Sequence, residues 1–477
     1  MTTTIIENPT QAIASIFRAQ QQKAIQLRTS SAHERIGKLK KLLQALEKHE
    51  PNLQEAIYQD FKKNRTETTL TEILPLRTEI KHAISQVRKW TKPQYKSNPI
   101  HYLGTTAYIQ YEPKGVSLIL SPWNYPIMLT LSPLVSAIAA GCTSILKPSE
   151  LTPHTSAALG KLIKEIFDEN EVALVEGDVN VSTALLELPF NHIFFTGSPM
   201  IGKIVMKAAS AHLTSVTLEL GGKSPAFIDE SADLQDAAEK LVWGKFVNNG
   251  QTCIAPDYLL VKDIVQKPLI EHIEKQIEKV YNSDKQGIEK SDSYCRIVSQ
   301  RHFTRLQGLM EDALLKGASI ATGGKTNAED RFIAPTVLTD IKPEMSIMQE
   351  EIFGPLLPIL TYKNTEEAIN IVNEGEKPLA LYVFSKNKEM IETVMTHTSA
   401  GGASINECLL HIGHPELPFG GVNNSGIGKS HGYFGFLEFS NAKAVLKQRI
   451  GFTGFKLLYP PYNQKVKDLV KKLKKIL

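Results

Sequence analysis

The sequence predicts an α/β protein built on a doubly wound parallel sheet, with a second α/β block after it. Two observations carry this reading. Short apolar runs bounded by glycine or proline, such as "VSLIL" and "HIFFT", alternate with helical stretches such as "IGKIVMKAAS". The chain, at 477 residues, is too long for one small core and suggests two or three domains.

In chain order, residues from about 10 to 90 read as helices, with "RIGKLKKLLQALEKH" turning its apolar side inward. "IHYLGTTAYIQYEP" then reads as an aromatic hairpin about Gly104. The stretch from Gly115 to Leu146 holds no charged residue and is long enough to cross a bilayer. Pro122, Asn124, Pro126 and Pro133 argue against that, because they would leave polar groups unsatisfied in lipid. The better parse is a strand at 116–120, a polar loop through Asn124, a buried helix from about 127 to 140 and a strand near 143–147. Such a βαβ unit is buried on both faces. "EVALVEGD" turns at Gly177-Asp178, "HIFFTGS" is a strand ending at Gly197, and "VTLELGG" is a strand ending at Gly221-Gly222. Beyond Cys253, "YLLVKD", "PLIEHIEKQIEKVY" and "APTVLTDI" belong to the second block.

Composition excludes several classes. Hydrophobic residues at 42% and charged residues at 22% suit a soluble enzyme. A net charge of +4 over this length is too weak for a nucleic-acid binder. The four cysteines (142, 253, 295, 408) show no C-x-x-C spacing, so neither a disulfide framework nor a metal site is expected. His411 and His414 lack a second ligand pair and read as structural or pocket-lining. The N-terminus has no basic start followed by an apolar core, so a cytoplasmic location is expected.

No G-x-G-x-x-G follows a strand, and "GKS" at 222–224 and 428–430 lacks the glycine five residues earlier, where Thr217 and Asn423 stand. "FFTGSPMIGK" remains: a strand, then Gly197 and Gly202 around a helix start whose free amides suit a phosphate. By itself it serves equally as a structural turn. In "NNGQTCIAP", Cys253 sits where a turn of small and amide residues meets apolar packing, which suits a thiol that must be reached.

Seven motifs in order, "SPWNYP", "LKPSE", "FFTGS", "LELGGKSP", "NNGQTCIAPDY", "EEIFGP" and "LPFGGVNNSGIGKSHG", resemble the aldehyde dehydrogenase family. "LPFGGVNNSGIGKSHGYFGFLEFSN" and "YPPY" are similar to its class 3 branch of fatty and aromatic aldehyde dehydrogenases. The resemblance runs from about residue 15 to 462. It implies two doubly wound Rossmann-like lobes with a small β oligomerisation arm. The NAD(P)-binding lobe would hold 1–95 and 112–220, the catalytic lobe 221–419, and the arm 96–111 and 420–462, pairing across a homodimer.

The chemistry follows from residue types. Aldehyde oxidation by hydride transfer needs a tetrahedral centre, and the motif around Cys253 makes it the candidate nucleophile that would form one. Its thiolate must be favoured by nearby amides or by a cationic nicotinamide. Asn124 offers an amide donor to the oxyanion, with the Cys253 N–H as second donor. Glu219, otherwise an ordinary strand-end carboxylate, is the candidate base for the water that hydrolyses the thioester. Its presence implies a free acid as product, since the acyl-CoA-forming branch usually lacks it.

The resemblance also implies cofactor positions. Lys147 and Glu150 would meet the adenosine ribose, Gly197, Ser198 and Gly202 the pyrophosphate, and Glu351 and Phe353 the nicotinamide ribose and ring, with Gly221 nearby. A carboxylate at the ribose repels a 2′-phosphate, so NAD is expected, with NADP possible. Pro199 replaces the family's usual threonine and removes an N–H. Substrate would pass Trp123, Tyr125 and His411, and their apolar character suggests medium or long aliphatic or aromatic aldehydes. A small-semialdehyde dehydrogenase and a cofactor-free thiol esterase are the alternatives. The tail 463–477 places Val466, Leu469, Val470, Leu473 and Leu477 on one helical face among six lysines. It can pack on protein or lie peripherally on an anionic membrane.

Overall fold

The computed structural model describes residues 9–99 and 102–475. Ile100 and His101 of the expected hairpin, and Leu477 of the tail, lie outside the described residues.

Ser31 starts the long helix Ala32–Phe61: its side chain accepts the Glu34 N–H while Glu34 returns to the Ser31 N–H, a capping box. Lys62, in the left-handed region at φ 57°, ends it. Leu39, Leu42, Leu46, Leu53 and Ile57 on its inner face join Leu76, Ile80 and Val87 of helix Leu74–Trp90 in one core. Leu131, Leu134 and Ile138 of helix Pro126–Ala140 complete it.

The next strands, β1 (Gln94–Lys96) and β2 (Thr105–Pro113), pair antiparallel with Gln94 opposite Ile109 and Lys96 opposite Ala107. The hairpin therefore differs from expectation. Residues 102–104 belong to the connecting turn, and the first strand is the polar segment 94–96.

β3 (Val116–Leu120), β4 (Thr143–Lys147), β5 (Val172–Leu174), β6 (His192–Thr196) and β7 (Ser215–Glu219) form a parallel sheet ordered β7-β6-β3-β4-β5. Every residue of β3, β4 and β6 is buried, as helices on both faces require. The order reverses between β3 and β6, and a crevice outside the carboxyl ends of strands at such a switch point is where doubly wound sheets take ligands. β7 ends at Glu219, two residues before Gly221.

The second sheet uses β8 (Pro225–Ile228), β9 (Tyr258–Lys262), β10 (Ser319–Thr322), β13 (Thr336–Thr339), β14 (Leu356–Tyr362), β15 (Ala380–Phe384) and β16 (Gly402–Ile405). Their order is β10-β13-β14-β9-β8-β15-β16, parallel except at the β10 edge. A small hairpin joins β11 (Thr326–Asn327) to β12 (Phe332–Ile333).

After the second sheet the chain returns to the first. β17 (Gly426–Ile427) pairs antiparallel with β7, and Phe436 and Phe439 enter the core of the N-terminal helices. Residues 426–439 thus pair and pack with the first sheet and the N-terminal helices. The arm proper is completed by β18 (Ser440–Gln448), which pairs with β2 from Ser440–Pro113 to Gln448–Thr105. Helix Gln464–Leu473 packs against the turn Gly454–Leu458 and buries no residue. Among the described residues, no helix is long and apolar enough to cross a membrane.

Candidate active site

Helix Leu234–Phe246 ends at Val247, and the chain then passes through Asn248, Asn249 and Gly250 at φ 54°, 58° and 72°. Three successive left-handed residues are affordable only with asparagine and glycine, which explains "NNG". The amides replace the helix as a frame. Asn248 Nδ2 donates to Asn124 O at 2.9 Å and to Gln251 O at 3.1 Å. Gln251 Nε2 donates to Asn248 O and Arg296 O, and its Oε1 accepts from Val298 N–H. Asn249 Nδ2 donates to Cys295 O at 2.7 Å. Out of this frame emerges Cys253, the one cysteine of the four that is not fully buried.

Asn124 is brought to the same loop. Its Nδ2 donates to Gln251 O at 3.1 Å, and the neighbouring Tyr125 hydroxyl lies 2.6 Å from Thr252 Oγ1. Burial pushes the Cys253 thiol up to about 12, and the carboxylates of Glu351 and Glu219 push in the same direction. The sulfur is therefore a thiol at neutral pH until a cation or base arrives.

Glu219 ends β7 with only 5% of its surface exposed, and neither carboxylate oxygen has a hydrogen-bond partner among the described residues. Burial raises its pKa well above the carboxylate range; Lys429 and Ser430 counter this in part, and Glu438 adds to it. A carboxyl so raised is a stronger proton acceptor than an exposed glutamate.

At the carboxyl end of β4, Lys147 Nζ donates to Pro148 O at 3.0 Å and lies 3.4 Å from Glu150 Oε2, which is exposed. Ser198 caps helix Pro199–Ser210, and Pro199 occupies its first turn. Met200, Ile201 and Ile204 of that helix are exposed, an apolar shelf beside a helix N-terminus. The glycines have protein neighbours that a side chain would strike. A Cβ on Gly197 would lie 2.5 Å from the Phe195 ring, and one on Gly202 would lie 2.8 Å from Leu220 Cδ2. One on Gly221 would lie 2.3 Å from Glu351 Oε2. Burial, then the nearby Asp257, pushes the Glu351 carboxyl up to about 8.

Trp123 and Tyr125, adjacent in sequence, point to different neighbours. Trp123 packs edge-on against Phe353 at 5.3 Å and beside His302 at 5.1 Å, so it meets the residue expected at nicotinamide rather than His411. His411 lies against Tyr382 and Phe419, with Nδ1 3.2 Å from Ser404 Oγ and Nε2 buried without a partner. His431, stacked on Phe419, also buries an unpartnered Nε2 and lines a crevice with Glu79, His82, Met128 and Pro415. Sequence reading missed His431, Glu79 and His302. A histidine in a loop and a glutamate on an amphipathic helix give no signal of facing one crevice.

A half-buried thiol whose loop is joined to Asn124, a buried carboxyl that acts on it and a doubly wound sheet with a ligand crevice together fit a dehydrogenase. The comparisons agree. The aldehyde dehydrogenase family model matches residues 3–445. A 4,4'-diaponeurosporen-aldehyde dehydrogenase from Staphylococcus aureus is 42% identical over 97% of this chain and 98% of its own. A rat "aldehyde dehydrogenase, dimeric NADP-preferring" is 41% identical over 91% of this chain and 94% of its own. Substrate-bound AldH from Staphylococcus aureus superposes with a TM-score of 0.92 at 40% identity, covering 97% and 99% of the two chains. The chain belongs to the aldehyde dehydrogenase family, and it oxidises aldehydes to carboxylic acids with NAD(P).

Proposed function

We propose that Cys253 attacks the aldehyde carbonyl while the Asn124 amide and the Cys253 N–H hold the oxyanion. The observation that carries this is the pair of contacts Asn124–Gln251 and Tyr125–Thr252, which join the two loops on either side of the reacting carbon. When bound, the nicotinamide cofactor supplies the hydride acceptor that turns the thiohemiacetal into a thioester. Glu219 then takes a proton from the hydrolytic water, and the thioester C–S bond breaks to release the acid and the thiol. That neither oxygen holds a well-formed hydrogen bond among the described residues, with only Ser430 and Lys429 acting nearby, supports this role, because such a carboxyl is free to serve water.

The cofactor fits the residues present. Lys147 and Glu150 offer a cation and a carboxylate to ribose hydroxyls, the Ser198–Gly202 turn offers amides to phosphate, and the Met200–Ile204 shelf offers an apolar face to a base. Gly221 lets Glu351 approach, and Phe353 backs the nicotinamide site with Trp123. The exposed Glu150 favours NAD over NADP. Residues 9–93, 114–220 and 426–439 would form the cofactor lobe and 221–419 the catalytic lobe.

Tyr125, His411 and His431 would line the substrate route, and its apolar rings support medium or long aliphatic or aromatic aldehydes over a small semialdehyde. The lipophilic aldehyde in the staphylococcal relative's name points the same way. The cofactor-free esterase has no specific observation in its favour. The arm supports a homodimer, since Tyr95, Leu446 and Ile450 are exposed upon it. The unburied lysine-rich helix Gln464–Leu473 supports peripheral contact with an anionic membrane.

Stopped-flow measurement of NADH tests the central reading. Cys253→Ala should form none, and Glu219→Gln should give a single burst and then stall. Full turnover by Cys253→Ala overturns it.

A further inference from the structure

Residues 63–72 lie outside both loops that carry the reacting groups, yet three of their charged side chains end at those loops. Lys63 and Glu72 are fully buried and meet at 3.0 Å. A buried ion pair is poor at stabilising a fold, because desolvation offsets the attraction and neutral replacements are often as good. Its atoms lead elsewhere.

Lys63 faces inward because the helix before it stops at Lys62 and a new turn starts at Asn64, whose side chain caps Thr66. A π-turn at Thr69–Ile73 then carries Glu72. Glu72 Oε1 takes the Lys63 ammonium, and its Oε2 accepts the N–H groups of Ile127 at 2.9 Å and Met128 at 3.2 Å. Those amides open the helix that directly follows Asn124 and Tyr125. Lys63 Nζ also lies 4.2 Å from the centre of the Tyr125 ring, whose hydroxyl reaches Thr252, the residue before Cys253. Glu67 Oε1 accepts the Asn248 N–H at 2.9 Å, at the first left-handed residue of the cysteine loop. Each charge thus ends on one part of the site.

From this geometry we infer that Lys63, Glu67 and Glu72 are positioning residues that fix the Asn124 amide and the Cys253 thiol relative to one another for attack on the carbonyl. The inference rests on the roles proposed for Cys253 and Asn124. None of the three touches substrate in this account; each acts through a neighbour. A displacement near 1 Å between reacting groups is worth about 100-fold in rate, so the effect belongs in the first chemical step.

The test uses the full chain, the NADH burst at saturating aldehyde and NAD, and thermal unfolding. Lys63→Met leaves a lone buried carboxylate, whereas Lys63→Met with Glu72→Gln removes both charges. The double variant should recover the melting temperature lost in the single one, while its burst remains at least about tenfold slow with KM little changed. A burst that returns to the wild-type rate together with the melting temperature overturns the inference. Should these variants not fold, Tyr125→Phe decides, since it removes one hydroxyl. Its burst should slow about threefold or more at unchanged melting temperature, and a wild-type burst overturns the Lys63 branch. Cys253→Ala in parallel separates the two readings. If it still bursts, the nucleophile assignment fails; if it is dead while the Lys63 variants burst normally, this inference alone fails.

Discussion

The carboxylate of Glu219 rests against the α-carbon of Gly420: a β-carbon there would lie 2.9 Å from Glu219 Oε1. Gly420 also sits at φ 148°, and the same β-carbon would lie 2.6 Å from the Gly428 carbonyl oxygen. The strand-end carboxylate and the "PFGG" turn, two hundred residues apart in sequence, therefore share one space. Gly420→Ala should destabilise the protein by about 1–3 kcal/mol and displace Glu219. The expected signature is an intact NADH burst with slowed steady-state turnover. Equal loss in both phases would mean that the turn serves acylation instead.

The thiol environment predicts a reactivity pattern. With Cys253 held up to about 12 by burial and two carboxylates, alkylation by iodoacetamide should be slow at neutral pH and rise about tenfold per pH unit. Above about pH 8, where Glu351 is ionised, Glu351→Gln removes one of the charges and should speed alkylation at fixed pH. No change would show that Glu351 does not act on the sulfur.

Glu351 should also leave a mark on stability. Its folded pKa of about 8 stands above the ordinary 4.5, so the folded chain keeps a proton that the unfolded chain gives up. The associated stability is full below about pH 4.5 and disappears as pH rises through about 8. Between those limits the melting temperature of the wild type should fall relative to Glu351→Gln. Parallel curves would mean that the carboxyl is ordinarily ionised.

Cofactor choice is open to direct measurement. Glu150 is exposed and lies 3.4 Å from Lys147. Glu150→Gln should raise the NADP-to-NAD ratio of kcat/KM by about tenfold, by removing repulsion of a 2′-phosphate while sparing Lys147. An unchanged ratio would place the ribose elsewhere.

The tail predicts a salt-dependent interaction. Vesicles with anionic headgroups should retain the full-length protein at low salt, and Leu469→Glu with Leu473→Glu should abolish retention without changing turnover of a soluble aldehyde. Retention equal on neutral vesicles would argue against the lysines as the cause.

What could be read in the sequence depended on range. β3, its following helix and β4 were legible because an uncharged stretch broken by Pro122 and Pro126 admits few parses, and the seven motifs pointed to the residues proposed to react. β1 was not legible, since Gln94–Lys96 carries no apolar pattern and is a strand only because β2 lies beside it. Lys63 and Glu72 were hidden for a related reason. "FKKNRTETTLTEI" reads as a solvated charged helix, and only the helix break at Lys62 turns Lys63 into the protein. The packing of residues 426–439 was not legible because tertiary stacking sets it, with Phe439 on Phe194 and Phe436 on Trp90.

That stacking bears on how the protein is made. The ribosome has made the five parallel strands of the first sheet by residue 219, but its sixth strand β17 and Phe436 and Phe439 emerge only after the whole second sheet has been synthesised. Throughout that interval the nascent first lobe carries an unfilled aromatic socket and an unpaired edge at β7. The usual order, in which an N-terminal unit matures before the next appears, is therefore denied to this polypeptide. The first lobe can reach its final state only after the second sheet has been made, and ending the chain before residue 426 should leave that lobe without its last strand and its aromatic fill.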